Sequence, residues 1–260
     1  MSIYIAVVSH GHSNLINELG CLDKLVRDFN IIVKSNLVND DFHQLAQERN
    51  FHWINNRSLY GCGFGENNNI IFDYCKKELN MKDGDYFVVL NPDVVIDSDT
   101  IINLVKAMSR GNINLSSINL YKDFDNLIYD NSIRRFPSLN QFVKSFLGFG
   151  NSSIIDRDQL SKTTQVDWAA GSFLTFKVGH YSKLSGFDER YFMYCEDIDI
   201  CYRSYLMGDK LTYFPEFKAC HLAKHANRKL LSMHFYWHVK SAMRFLLTKA
   251  GMTKPKSSLI

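Results

Sequence analysis

Three carboxylates fall within four residues in Glu196-Asp197-Ile198-Asp199. A carboxylate facing a cleft can act as general base and take the proton of a sugar hydroxyl. Acidic residues are also favoured at a helix start by the helix dipole, so capping is the competing role. On a helix Glu196 and Asp199 share a face while Asp197 points elsewhere. One carboxylate can therefore face a substrate while its neighbours hold structure. A further acid, Asp93, follows the apolar run Val88-Val-Leu90 through Asn91-Pro92. At a strand tip it could hold a divalent cation against a diphosphate, because Mg²⁺ needs only one or two protein carboxylates besides water and phosphate oxygens. It could equally cap the turn. Histidine recurs at HxxxH spacing in His221/His225 and His234/His238. On a helix such a pair could bind metal, but a protein-only zinc site needs more ligands. The second pair, among Phe235, Tyr236 and Trp237, reads as interfacial packing. The glycines of Gly61–Asn69 permit a close approach to a ligand or simply a turn. Arg134-Arg135 is either a phosphate clamp or a solvated basic turn.

These residues need elements to position them. Ile3–Val8 reads as a buried strand feeding the loop Ser9–His12. Helix-like spacing covers Asn14–Phe29, a second strand Ile31–Lys34, a helix Asp41–Asn50 and a third strand Phe51–Ile54. A helix follows the glycine loop to about Leu79. Tyr86–Leu90 is a strongly apolar strand, and Thr100–Met108 is a helix with Ile101, Leu104, Val105 and Met108 on one face. Strands alternating with helices imply an α/β fold with a doubly wound, mostly parallel sheet. Ligands bind beyond the carboxyl ends of such strands, where Ser9–His12, Ser35-Asn36 and Asn91–Asp93 lie. Further on, 119–165 is less regular and 132–137 is a basic turn. Gly171–Lys177 and Leu211–Phe214 are strands, with Cys220-His221 a few residues after the latter. Asp197–Met207 and Asn227–Lys249 are helices.

Bulk properties limit the functions. At 260 residues the chain has room for one large α/β domain or two small ones. No CxxC pair occurs among the six cysteines, which argues against a zinc ribbon or a thioredoxin-like site. The N-terminus lacks the basic and apolar regions of a signal peptide, and no apolar window of about 18 residues could span a membrane. The net charge of +3 is unevenly spread: no acid follows Glu216, while nine Lys and Arg residues do. A mildly acidic body with a basic tail points to a polyanionic partner for the tail, lipid or nucleic acid. The acidic body and the absence of a nucleic-acid-binding module argue against nucleic acid.

In this order the segments Val7–His12, Gly63–Asn69, Leu90–Asp93, Val166–Ser172, Gly186–Asp199 and Pro215–His221 resemble those of family 2 glycosyltransferases of GT-A fold. The resemblance covers about residues 3–245 and is nearest to bacterial O-antigen rhamnosyltransferases of the WbbL type. It implies a GT-A catalytic domain over 1–222 and a basic, aromatic-rich helical segment over 223–260. It implies an inverting enzyme that transfers L-rhamnose from dTDP-L-rhamnose to a polyprenyl-diphosphate-linked GlcNAc in lipopolysaccharide assembly. In that reading Asp197 is the catalytic base, and Asp93 and His221 hold Mn²⁺ or Mg²⁺. Ser9, Ser35, Asn36, Gly63, Asn68 and Asn91 line the donor site. Arg134, Arg135, Trp168, Gly171 and Glu196 contact acceptor or phosphate.

Two departures stand out. Asn91 replaces the first acid of the DxD motif, and Ser35 replaces the aspartate that many relatives place before Asn36. The second keeps another donor, such as UDP-galactofuranose, under consideration. A non-catalytic nucleotide-sugar-binding protein on the same fold is the alternative from another class. The resemblance also implies a cytoplasmic protein at the inner face of the membrane, where the tail, with Lys240 and Arg244 at i,i+4, meets anionic lipid.

Overall fold

The computed structural model describes residues 1–123, 125, 128–146, 153–156, 160–222 and 233–259. In chain order these form β1 (Ile3–Ser9), α1 (Ser13–Leu19), β2 (Asn30–Ser35), α2 (His43–Arg49), β3 (His52–Ile54), α3 (Phe64–Glu78), β4 (Tyr86–Leu90), β5 (Val94–Val95) and α4 (Ser98–Arg110). The second half adds β6 (Leu115–Asp123), β7 (Ile128–Tyr129), β8 (Ile133–Arg134), α5 (Leu139–Phe146), β9 (Thr164–Val166), β10 (Trp168–Ala169) and β11 (Phe173–Lys177). It ends with α6 (Val178–Lys183), α7 (Glu196–Leu206), β12 (Leu211–His221) and α8 (Met233–Lys249).

The main sheet has the order β3-β2-β1-β4-β11-β6-β12-β5. β1 pairs in parallel with β2 and β4, β2 with β3, and β6 with β12. β11 runs antiparallel to both β4 and β6, and β5 is antiparallel to the end of β12. The sheet is therefore mixed but mostly parallel. Its strands alternate faces: Ile5, Val7, Val88 and Leu90 enter one core, while Tyr4, Ala6, Phe87 and Val89 enter the other. α1 and α4 cover the first face through Ile16, Ile101, Leu104, Val105 and Met108. α3, α6, α7 and α8 contribute to the second, with Phe72, Tyr181, Ile200 and Phe245 among its members.

Three expectations change. The helix expected over Asn14–Phe29 stops at Leu19, because Gly20 adopts the left-handed conformation with φ 54° and caps it. The strand expected over Leu211–Phe214 runs on to His221, so His221 ends a strand rather than lying beyond one. Pro215 falls at the register shift between Phe214 and Lys218, where a missing N–H is tolerated. The basic turn at 132–137 contains the short strand β8, paired with β10. His225 and the first part of the helix expected over Asn227–Lys249 lie outside the described residues.

Candidate active site

The carboxyl ends of β1, β2, β4 and β12 converge on one edge of the sheet. Asp93 reaches its place because the chain turns after β4 and returns as β5 along the end of β12. Val94 is in register with His221, and the Leu222 amide donates to the Asp93 carbonyl at 3.1 Å. The pairing brings His221 Nε2 to 3.4 Å from Asp93 Oδ1. On its other side His221 Nδ1 lies 2.6 Å from Asp130 Oδ2. Burial alone would lower the His221 pKa, but its contacts with Asp130 and Asp93 prevail and raise it to about 9. Burial alone would raise the Asp93 pKa, but the hydrogen bond and charge of His221 hold it below the usual carboxylate value.

A cleft of about 420 Å³ opens beside Asp93. Val8, His10, His12, Asn36, Asn67, Asn91 and Pro92 line it, together with Phe192, Met193, His234 and Trp237. Asn36 is held by a two-way contact with the Cys62 backbone, accepting from its N–H at 3.1 Å and donating to its C=O at 3.0 Å. Burial depresses the His12 pKa despite the nearby Asp40 and Asp93 charges.

A second cleft, of about 220 Å³, lies on the far side of the 193–195 segment and contains Glu196 and Asp197. Arg134, Gln141, Trp168, Tyr194 and His238 also line it. Tyr194 and Cys195 lead into α7 with φ of 72° and 64°, a conformation that non-glycine residues adopt at a cost of about 1–3 kcal/mol. That turn aims the first turn of α7 into the cleft. Asp197 Oδ2 accepts from the Gly171 amide at 3.1 Å and Oδ1 from the Ile198 amide at 2.8 Å. Burial raises the Asp197 pKa, against the two amides and the Arg134 charge. Asp199 turns away, accepting from Arg203 Nε at 2.7 Å and from the Tyr191 hydroxyl at 3.3 Å. The expected division of labour holds in part: Asp197 lines the cleft and Asp199 is tied into the structure, but Glu196, expected on the face of Asp199, lines the cleft beside Asp197.

The other residues named from sequence are placed as follows. Ser35 is buried, and its hydroxyl donates to the Asp40 carbonyl at 2.6 Å and accepts from Trp53 Nε1 at 2.9 Å. Both contacts of its hydroxyl are therefore internal to the protein. Ser9 is also buried, and its Oγ accepts from the His12 amide at 3.0 Å. Gly63 is required by a protein contact, since a Cβ there would lie 2.6 Å from the Phe192 carbonyl oxygen. Asn68 is turned inward and donates to the Phe64 carbonyl at 2.9 Å, whereas Asn67 lines the first cleft. Arg134 lines the second cleft with its guanidinium 5.4 Å from the Trp168 ring centroid. Arg135 has an exposed side chain, and its carbonyl accepts from Trp168 Nε1 at 2.9 Å. Gly171 acts through its amide on Asp197.

Sequence reasoning missed Asp130, which lies in an irregular loop after β7, and the aromatic wall built by Phe192 and Trp237, whose ring centroids are 4.6 Å apart. For Trp237 the signal was present in the aromatic run of α8, but the helix phase was needed to aim it. His234 belongs to the same wall and His238 lines the second cleft, with Tyr194 against both: its hydroxyl is 3.1 Å from His234 Nδ1 and its ring packs 5.0 Å from that of His238.

A mostly parallel α/β sheet with one cleft beside a strand-tip acid and another beside a helix-start acid is the arrangement of a GT-A-type glycosyltransferase, and the comparisons with known proteins agree with it. The fold is shared with S. aureus TarS, at TM-score 0.56 and 11% identity over 85% of this chain and 36% of that one. TarS 1–349 in complex with UDP-GlcNAc gives the same score at 12% identity, covering 87% of this chain and 62% of that one. Rhamnosyltransferase WbbL of Escherichia coli (strain K12) is 38% identical over 252 residues, covering 95% of this chain and 93% of the relative. An N-acetylglucosaminyl-diphospho-decaprenol L-rhamnosyltransferase of Mycobacterium tuberculosis (strain CDC 1551 / Oshkosh) is 30% identical over 169 residues, covering 62% of this chain and 55% of that protein. No protein-family model matches the chain. The chain belongs to the WbbL-type rhamnosyltransferases of glycosyltransferase family 2.

Proposed function

We propose that the protein transfers L-rhamnose from dTDP-L-rhamnose to a GlcNAc carried on a polyprenyl diphosphate. The observation that carries this reading is the Asp197 carboxylate, held by two backbone amides at the edge of the second cleft. The first cleft takes the nucleotide diphosphate and the second the acceptor sugar. Asp197 accepts the proton of an acceptor hydroxyl. The oxygen forms a bond to the anomeric carbon from the side opposite the diphosphate, whose bond breaks as it leaves with the electron pair. The product has inverted configuration.

Asp93 and His221 would hold a divalent cation, Mn²⁺ or Mg²⁺. The donor set fits: one carboxylate and one imidazole, with Asp130 positioned to take the far ring N–H, the usual support of a metal-bound histidine. No group of three His, Cys, Asp or Glu side chains among the described residues is gathered into an all-protein cage, so diphosphate and water oxygens would complete the shell. When bound, the cation supplies charge neutralisation on the leaving diphosphate.

The protein works at the inner face of the cytoplasmic membrane, against anionic lipid. α8 supports this through an outward row of Met233, Tyr236, Met243 and Leu247, all exposed, with Lys240 among them. No described helix is long and apolar enough to cross a membrane.

The test is product formation from a synthetic GlcNAc-diphosphate-lipid acceptor with Mn²⁺ and a donor panel that includes dTDP-L-rhamnose and UDP-galactofuranose. Rhamnose transfer is expected, and Asp197→Asn should slow it about 10²–10⁴-fold. Transfer from another donor alone would overturn the donor. Normal turnover by Asp197→Asn would overturn the base.

A further inference from the structure

The second cleft holds a carboxyl group that the reaction above leaves unused. Glu196 is 7% exposed, lines the cleft beside Asp197, and its Oε2 is enclosed with no hydrogen-bond partner among the described residues. A buried carboxyl without a partner is destabilising, and native proteins retain few such groups without a reason. The adjacent acids do not provide one. Asp197 is occupied by the Gly171 and Ile198 amides, and Asp199 by Arg203 and Tyr191. Burial, followed by the negative charge of Asp197, pushes the Glu196 carboxyl well above its ordinary pKa. As a neutral acid it presents one O–H donor together with acceptor lone pairs. The cleft around it has the makings of a sugar site: the indole of Trp168, the amide of Gln141, the imidazole of His238 and the guanidinium of Arg134.

We propose that Glu196 is the acceptor-recognition residue. It hydrogen-bonds the polar substituent on the sugar carbon next to the attacking hydroxyl and so holds that hydroxyl against Asp197. Glu196 and Asp197 line the same cleft of about 220 Å³, so one small ligand within it lies beside both. The partner substituent is a hydroxyl or an acetamido group, both of which offer an oxygen to the carboxyl O–H. The unpartnered oxygen is then a feature of the free enzyme that acceptor binding relieves, a local defect retained for function. This inference rests on the second cleft being the acceptor site.

The experiment compares wild type, Glu196→Gln and Glu196→Ala by steady-state kinetics and thermal melting. Glutamine keeps the shape, the neutrality, a donor and an acceptor, so its acceptor KM should stay within about threefold of wild type. Alanine should raise the acceptor KM about tenfold or more, leave the donor KM unchanged and not lower the melting temperature. Acceptors lacking one substituent at a time identify the contact, since on one of them wild type and Glu196→Ala should have equal KM. Acetamido and hydroxyl versions at that carbon then separate the two partners. The proposal is overturned if Glu196→Gln is as slow as Asp197→Asn, which would make the ionised form essential. It is also overturned if Glu196→Ala melts lower with an unchanged acceptor KM, the mark of a structural residue. If wild type transfers to no GlcNAc-diphosphate lipid, the proposed acceptor falls. The same variants are then measured on the acceptor that a sugar panel identifies, by the same criteria.

Discussion

In the proposed role of base, Asp197 must be ionised to accept a proton, and its environment makes that harder than for a free aspartate. Burial raises its pKa, opposed by the Gly171 and Ile198 amides and by Arg134. The sign follows directly: activity is lost as pH falls through the pKa of the base, so a raised pKa moves the acid limb of the kcat/KM profile above the ordinary carboxylate range. Arg134→Gln removes a cationic charge that lowers this pKa and should move that limb further up. A limb that stays in place would show that Arg134 does not act on the base. A second residue-scale expectation concerns Asp130, whose carboxylate lies 2.6 Å from His221 Nδ1. With Nδ1–H donating there, Nε2 is left facing Asp93. Asp130→Asn should weaken Mn²⁺ binding about 10–100-fold, read by titrating free Mn²⁺ in its paramagnetic resonance signal. An unchanged affinity would place Asp130 outside the metal site. Asp93 and Asp197 were legible in the sequence because each follows a strong periodic signal, an apolar strand or a helix start. Asp130 was not, because its role depends on a loop returning to the end of a strand nearly a hundred residues later in the chain.

At the scale of elements, helix α8 is as much a part of the core as of the surface. Ala242 and Phe245 are buried in the same cluster as the sheet residues Phe87 and Val89. Ser241 donates to the Met193 carbonyl at 2.9 Å, tying the helix to the segment that separates the two clefts. Arg244, read from sequence as a cation for lipid, instead pairs with the buried Asp188 and reaches the Lys254 carbonyl at 3.2 Å. Its charge is committed to the fold. Breaking a buried pair leaves an uncompensated charge, so Arg244→Ala should destabilise the protein by about 3 kcal/mol, measured as a lower urea midpoint. A loss near zero would mean that water replaces the pair without penalty. The aromatic and basic composition of α8 was plain in the sequence. Which residues face inward was not, because that requires the crossing of α8 over α7. The direction of β11 was equally hidden: an apolar run such as Phe173–Lys177 carries burial but no polarity, and only the pairing with β4 and β6 makes it antiparallel.

For the molecule as a whole, the uneven charge acquires a direction. Residues after Glu216 carry nine cations and no acid. With Arg244 withdrawn into an ion pair, exposed Lys240, Lys254 and Lys256 remain on the C-terminal segment beside exposed Met243, Leu247 and Met252. Apolar side chains flanked by lysines suit the headgroup boundary of an anionic bilayer, where each basic residue contributes about 1 kcal/mol at moderate ionic strength. Both clefts also contain side chains from α8, His234 and Trp237 in one and His238 in the other. A membrane held against its outer face would therefore lie close to the proposed acceptor site. Two variants separate the contributions. Lys240→Glu with Lys254→Glu and Lys256→Glu should reduce binding to phosphatidylglycerol vesicles about 100-fold, with little change in transfer to a short, water-soluble acceptor. Met243→Glu with Leu247→Glu should weaken binding at high salt as well, because its effect is not screened. Vesicle flotation at two salt concentrations reads both. Equal binding of wild type and the lysine variant, or equal binding of wild type to neutral and anionic vesicles, would remove the electrostatic docking of this face.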